Sequence, residues 1–276
     1  FLGPYRPFMV GRFTGIFNNP NALGITCAIF LPLSLWQFLE TKKKSALFLC
    51  FMIVASLLLS AARASMSAVA LTLGYFIFKY SKKNRPLILF SSISFIFILF
   101  WLTETLIKHV FKVYIRSETI SVLGGRLEVW PVALSIMSDK PIFGYGFGTE
   151  ELLLPLKGIT LLKGAKITLA IWKDYGLYVH NSYLGMLLQL GIVGFILFFA
   201  PFFILLFKEL SLRQDIPVPS LRYALQASLI AGLIIAFYES FLYSVGNAYT
   251  FPFWIIVMLL FFYQYYDKAK DMPEST

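Results

Sequence analysis

Mostly apolar stretches of about 20 residues recur along this chain, the length a helix needs to cross the hydrocarbon core of a bilayer. Seven qualify, at 22–39, 45–62, 65–80, 86–103, 182–206, 223–243 and 251–266, with the third and the last slightly short. They lack the alternation of polar and apolar residues that a membrane β-barrel strand requires, so each is predicted to be a helix. Composition leads to the same place. Of the 276 residues, 58% are hydrophobic and only 14% charged, against about 25% charged in a typical soluble domain. A soluble core cannot hide that much Phe, Leu and Ile, because surface shrinks too slowly with size. The expected fold is an all-α integral membrane protein, a polytopic transmembrane helix bundle of about seven spans.

The net charge of +10 invites a nucleic-acid reading, but its distribution opposes one. Short basic runs, Lys42-Lys43-Lys44 and the group Lys79, Lys82, Lys83 and Arg85, punctuate the apolar stretches as cytoplasmic loops do. Lys208, Arg213, Arg222, Lys268 and Lys270 fall on the same side, whereas short connections on the other side carry Arg63 alone. The tail is therefore placed in the cytoplasm, and segment 104–181 outside as one large extracytoplasmic loop. Within that loop, residues 126–137 read as a short amphipathic helix with Trp130, Leu134 and Met137 near helical spacing. Such a helix can lie on the outer leaflet or roof a cavity. The chain opens on Phe1 without the charged start and apolar core of a signal peptide. Residues 1–276 are read as a single membrane domain, the C-terminal part of a longer polytopic protein.

On this topology the polar residues that stand out gather on the outer side. Arg12 precedes the first span beside Asn18, Asn19 and Asn21; Arg63 sits in a tight connection between two spans; Arg126 opens the loop helix. His180-Asn181 stands where the long loop re-enters the membrane, and Glu239 interrupts an apolar span. Arginine at an interface is ordinarily a snorkelling residue on lipid phosphate. Its planar fork also matches phosphate oxygens in two parallel bonds, which makes Arg12, Arg63 and Arg126 candidates for an anion clamp. An interfacial histidine is ordinarily structural, yet imidazole is the natural general base near neutral pH. An ionisable residue within a span is a functional candidate by default, although Glu239 is also placed to pair with one of the arginines. Gly144-Tyr145-Gly146-Phe147-Gly148 is not a nucleotide-binding fingerprint. It reads as a flexible turn whose amides could approach an anion. Cys27 and Cys50 lie in apolar runs without ligand-spaced partners, so neither a disulfide framework nor a metal site is expected.

Taken in order, several segments resemble the O-antigen ligase and polymerase superfamily of bacterial envelope enzymes. They are Gly11-Arg12-Phe-Thr-Gly15-Ile-Phe-Asn-Asn-Pro20-Asn21, Leu-Ser60-Ala-Ala-Arg63-Ala-Ser65, Gly125-Arg126-Leu-Glu-Val-Trp130, Asp139 to Gly148, His180-Asn181-Ser-Tyr183-Leu, and Gln189-Leu-Gly191-Ile-Val-Gly194. The resemblance implies an enzyme that moves a glycan from undecaprenyl diphosphate to an acceptor hydroxyl, on another glycan or on lipid A core. It implies an active site on the outer face of the bacterial cytoplasmic membrane, with membrane lipids around it; the charge distribution adds no nucleic acid, and the lack of a paired Asp cluster, HExxH or P-loop adds no required metal or cofactor. It maps catalytic roles onto His180, Arg126 and Arg63, with Arg12 as a further candidate; on their position beside these, Arg12, Asn21, Asn181 and Glu239 are the substrate-binding candidates. The family's usual small-residue–Ser-Arg-Gly pattern reads Ala61-Ala62-Arg63-Ala64 here. Polymerase and ligase are both left open. A transporter or flippase of a lipid-linked or anionic solute is the competing class, and it would show helices broken near the bilayer midplane.

Overall fold

The computed structural model describes residues 7–9, 12–80, 126–150, 152–154, 178–211, 220–244 and 247–271. The span read at 86–103, and parts 104–125 and 155–177 of the long loop, lie outside the described residues. A small antiparallel hairpin, β1 (Phe8–Met9) and β2 (Arg12–Phe13), precedes the helices. These are α1 (Pro20–Thr41), α2 (Lys44–Ser60), α3 (Arg63–Tyr80), α4 (Arg126–Ser138), α5 (Ser182–Leu210), α6 (Ser220–Ala236) and α7 (Phe251–Asp271). Three segments, Pro20–Thr41, Ser182–Leu210 and Ala248–Asp267, are long and apolar enough to cross a membrane. Lys44–Ser60 and Ser220–Ala236 are shorter apolar helices. Large apolar side chains stay exposed along α2, Phe48 and Phe51 at 64% and 65%, and along α5, as helices facing lipid require.

The chain forms two compact units. The first comprises residues 1–115, 205–235 and 247–276. Its first helix begins in an orderly way. Pro20 takes the first helical position, where its missing N–H costs nothing, and the Asn19 side chain accepts the Asn21 N–H at 2.8 Å. Phe76, Ala224 and Ala227 form a fully buried cluster against Trp36, Tyr75 and Tyr223. A polar network lies in the same unit. Arg222 makes two 2.8 Å bonds to Glu209, which also accepts from Gln226 at 2.9 Å and Gln264 at 3.0 Å. Arg222 donates to Asp267 as well, and Tyr75 donates to Gln226 at 2.7 Å.

The second unit comprises residues 116–204 and 236–246. Its core is Val132, Ala133, Ile136, Leu154, Val179, Leu184 and Leu188, with Val129, Trp130 and Met137 packed against them. The helix expected at 126–137 is present as α4, but its buried stripe differs from the expected one. Trp130 and Met137 pack inward whereas Leu134 is 49% exposed, because Ala133 and Ile136 complete the i, i+3, i+4 face.

The expected span at 223–243 needs correction. Helix α6 stops at Ala236, and residues 237–244 turn back on themselves. Tertiary partners take over the backbone groups that a longer helix would have satisfied internally. Ser182 Oγ donates to the Glu239 carbonyl at 2.7 Å and accepts the Phe241 and Leu242 N–H groups at 3.1 and 3.4 Å. Glu239 therefore lies in a loop, not inside a span.

Helix α5 is broken at Gly191, whose φ of 62° and ψ of −167° leave the helical region. The turn at 139–149 fills the break. Tyr145 and Gly146 donate to the Leu188 and Gln189 carbonyls at 3.2 and 2.7 Å, and Ile192 and Val193 donate to Pro141 and Ile142 at 2.9 and 3.2 Å. A Cβ on Gly144 would stand 2.4 Å from the Gln189 carbonyl oxygen, and one on Gly191 would stand 2.3 Å from that of Ile142. Gly191→Ala is therefore expected to destabilise the protein by more than about 1 kcal/mol, measured as a lower melting temperature in detergent. The same contacts correct the reading of the glycine-rich turn as an anion cradle. The Gly144 N–H goes to Lys140 at 3.1 Å, that of Gly146 to the Gln189 carbonyl, and that of Gly148 to Gln189 Oε1 at 2.6 Å. The amides that an anion would have needed are taken, that of Gly144 within the turn and those of Gly146 and Gly148 by Gln189 of the broken helix.

Candidate active site

In the second unit, three of the expected site residues meet. Arg126, the first residue of α4, sends Nε and Nη2 to the Tyr238 carbonyl at 3.0 and 2.6 Å. Its Nη2 also reaches Glu239 Oε1 at 2.8 Å. The other carboxylate oxygen, Oε2, stands 3.4 Å from His180 Nδ1. A single carboxylate thus sits between a guanidinium and an imidazole. Arg126 and Glu239 are largely enclosed, whereas the His180 side chain is 43% exposed. Burial strengthens the ion pair by lowering the local dielectric, while the imidazole keeps an accessible face.

The backbone around His180 is constrained. Its φ is +49°, a left-handed conformation that is uncommon outside glycine and carries strain unless the surroundings impose it. They do so on both sides. The Val179 N–H is bound by Glu150 Oε1 at 2.7 Å, and the Asn181 N–H by Ser240 Oγ at 3.0 Å. The Asn181 side chain then accepts the N–H groups of Tyr183 and Leu184, both at 3.0 Å, and so caps α5. Asn181 is buried, and its Oδ1 is committed to that cap. The Tyr178 ring stands 6.1 Å from the His180 ring in an edge-on arrangement.

Glu150, Gln189 and Tyr243 form a second polar cluster in this unit. Glu150 is 4% exposed and accepts from the Tyr243 hydroxyl at 2.6 Å and Gln189 Nε2 at 3.2 Å, besides Val179. Burial first, and the adjacent Glu150 carboxylate second, push the Tyr243 phenol well above its ordinary pKa, which keeps it a donor. Sequence reasoning passed over Glu150. Its one signal, a carboxylate two residues beyond the glycine-rich turn, is blurred by Glu151 beside it.

The first unit holds the remaining candidates. Arg12 on β2 donates through Nε to the Ser60 carbonyl at 2.8 Å and through Nη2 to Asn21 Oδ1 at 2.7 Å and the Ala61 carbonyl at 3.3 Å. Those carbonyls belong to the C-terminal end of α2, which closes with Ala61 in a left-handed conformation. Helix ends leave such acceptors unmatched and partially negative, and a guanidinium answers both needs. Arg12 and Asn21 therefore fix the turn from which α3 departs. Arg63 is the first residue of α3. It is exposed and makes no hydrogen bond or ion pair with a described residue. Among the described residues, no three His, Cys, Asp or Glu side chains gather in a group that could hold a metal ion.

No curated protein matches this chain. A family model described as O-antigen ligase matches residues 46–199, more than half of the chain, and its range takes in Arg63, Arg126, Glu150, His180 and the interlocked Gly144 and Gly191. The ordered segments and the apolar helices agree with that match. This chain is a membrane protein of the O-antigen ligase family, the ligases and polymerases of cell-surface glycan synthesis.

Proposed function

We propose that this protein transfers a glycan from undecaprenyl diphosphate to an acceptor hydroxyl on the outer side of the bacterial cytoplasmic membrane, as a ligase or polymerase. The acceptor is a second glycan or lipid A core. About seven spans, with segment 104–181 outside, complete the proposed topology. The observation that carries the reading is the Arg126–Glu239–His180 constellation. Glu239 facing Nδ1 holds the imidazole with Nε2 as the proton acceptor, the logic by which a carboxylate orients a catalytic histidine. His180 then takes the acceptor hydroxyl proton as the new glycosidic bond forms. The sugar–phosphate bond breaks and its electron pair leaves with the diphosphate. The energy comes from that leaving group, so the reaction needs no soluble nucleotide.

Arg126 fixes the carboxylate and contributes positive charge where the diphosphate develops negative charge. Arg63, exposed at a helix N-terminus, combines a guanidinium with the positive end of a helix dipole, both favourable to phosphate. Arg12 and Asn21 act through the turn that carries Arg63, and Asn181 through the cap that follows His180. The transporter reading gains one feature from the structure, the break in α5. The carbonyls freed by that break, however, accept hydrogen bonds from Tyr145 and Gly146, so they serve packing.

Purified protein incubated with a defined undecaprenyl-diphosphate glycan and candidate acceptors tests the proposal directly. Transfer to an acceptor supports it; retention of all glycan on the carrier refutes it. Arg126→Lys is expected to lose at least about tenfold in transfer, because an ammonium cannot grip the Tyr238 carbonyl with two donors while pairing with Glu239. Unchanged transfer by that variant would remove Arg126 from the mechanism.

A further inference from the structure

The geometry points to Glu150 as the positioning residue that holds the His180 segment in its strained conformation for glycan transfer. This rests on the proposed role of His180 as the proton acceptor. The argument begins with what Glu150 touches. Its carboxylate binds the N–H of Val179, the residue before His180, at 2.7 Å and the Tyr243 hydroxyl at 2.6 Å. Tyr243 belongs to the 237–244 loop that also carries Glu239, so one buried carboxylate fixes both the backbone entering His180 and the loop holding its partner. The third contact, Gln189 Nε2 at 3.2 Å, anchors this pair to α5 next to its break. Gln189 is itself held through Gly148, whose N–H reaches Oε1 at 2.6 Å. The amide orientation is thereby set, with its NH₂ turned toward Glu150.

Space around the cluster is equally constrained. A Cβ on Gly185 would stand 1.9 Å from the Tyr243 hydroxyl and 2.9 Å from Glu150 Oε2. The bare helix face at Gly185 is what admits the Glu150–Tyr243 pair. Buried charge is costly unless it is matched, and this one is matched by donors from three segments. A uniformly apolar packing would hold these segments together with less directional definition. The carboxylate adds a defined register at the point where His180 must adopt φ +49°.

Glu150→Gln keeps the shape and the acceptor for Val179. It sets an NH₂ against the Gln189 NH₂, which cannot flip without losing the Gly148 bond. The cluster loosens and His180 loses its fixed place. A displacement of about 1 Å from productive geometry can cost 10²-fold in rate. The expected result for Glu150→Gln is therefore a fall of about 10²-fold in kcat for transfer. Binding of undecaprenyl diphosphate in detergent micelles should change less than about twofold, because Glu150 acts through the position of His180, the group assigned to the acceptor proton. Gly185→Ala, which drives out the Tyr243 hydroxyl by contact alone, should show the same split between kcat and binding. Tyr243→Phe, which keeps the Val179 and Gln189 donors, should fall less than either.

His180→Ala assayed in parallel separates the two claims. If His180→Ala is inactive while Glu150→Gln and Gly185→Ala keep full kcat, the positioning role is overturned and the proton-acceptor reading stands. If His180→Ala keeps full transfer, the reading beneath the proposal fails. Loss of diphosphate binding together with kcat in the Glu150 variant would show a merely structural carboxylate and overturn the proposal. Should Glu150→Gln fail to fold, Tyr243→Phe decides alone: a lowered kcat with unchanged binding supports the proposal, and unchanged kcat refutes it.

Discussion

Replacing His180 with alanine is expected to reduce glycan transfer by about 10²–10⁴-fold, the usual worth of a positioned proton acceptor, with the amount of protein in the membrane unchanged. The side chain is 43% exposed, so truncating it opens no cavity in the core. Its loss still leaves the Glu239 carboxylate its ion pair with Arg126. The objection to an alanine variant is the backbone, since φ +49° suits alanine poorly. His180→Gly answers it. Glycine adopts that conformation freely, so the glycine variant should be at least as stable as the alanine variant and just as inactive. Transfer restored by glycine would mean that the alanine variant failed through strain, and wild-type rates in either would end the role assigned to the imidazole.

The parts of this molecule legible in its sequence are those governed by local composition. Continuous apolar runs at 22–39, 45–62, 65–80, 182–206 and 251–266 correspond to α1, α2, α3, α5 and α7, because length and hydropathy dictate a helix wherever the backbone must satisfy itself. The helix at 126–138 was legible from its spacing. What escaped was decided by partners distant in the chain. The end of α6 at Ala236 depends on Ser182 and Arg126, which supply the hydrogen bonds to residues 238–242. Within 223–243 the only charge is that of Glu239, and a lone charge does not fix where a helix ends. The lock between Gly144 and Gly191 is similar. Each glycine looks like a flexible point alone, and together they form one of the tightest backbone approaches in the described structure. Glu239 was visible as an isolated charge in apolar sequence, and pairing with an arginine was open from the start. Only the fold chose Arg126 and set His180 on the opposite oxygen. The buried carboxylate Glu150 lacked even that contrast, because Glu151 follows it and the pair reads as ordinary loop charge.

Glu209→Ala is expected to destabilise the protein by about 3–5 kcal/mol, the cost of stripping the partner from a buried charge. Arg222 is almost fully buried, and Glu209 supplies both oxygens to its fork. Without them the guanidinium retains Asp267, which is half exposed and contributes little on its own. The amides of Gln226 and Gln264 lose their carboxylate acceptor at the same time and keep only longer bonds to the Glu209 and Leu205 carbonyls, at 3.3 and 3.4 Å. Asp267→Asn, by contrast, should cost no more than about 1 kcal/mol. Ionisable residues within apolar helices are functional suspects by default, and the pair of variants tests the alternative that this network exists to pack helices. If it does, replacing Glu209 and Arg222 together by methionine removes two desolvated charges and should recover most of the stability lost in the single variant. The doubly substituted protein should also transfer glycan at the wild-type rate, since none of these side chains belongs to the Arg126–Glu239–His180 constellation. Melting of the detergent-solubilised variants, together with transfer by the double variant, measures both. A Glu209→Ala variant that melts with the wild type would refute the packing role, and a stable double variant without transfer would give the network a part in the reaction.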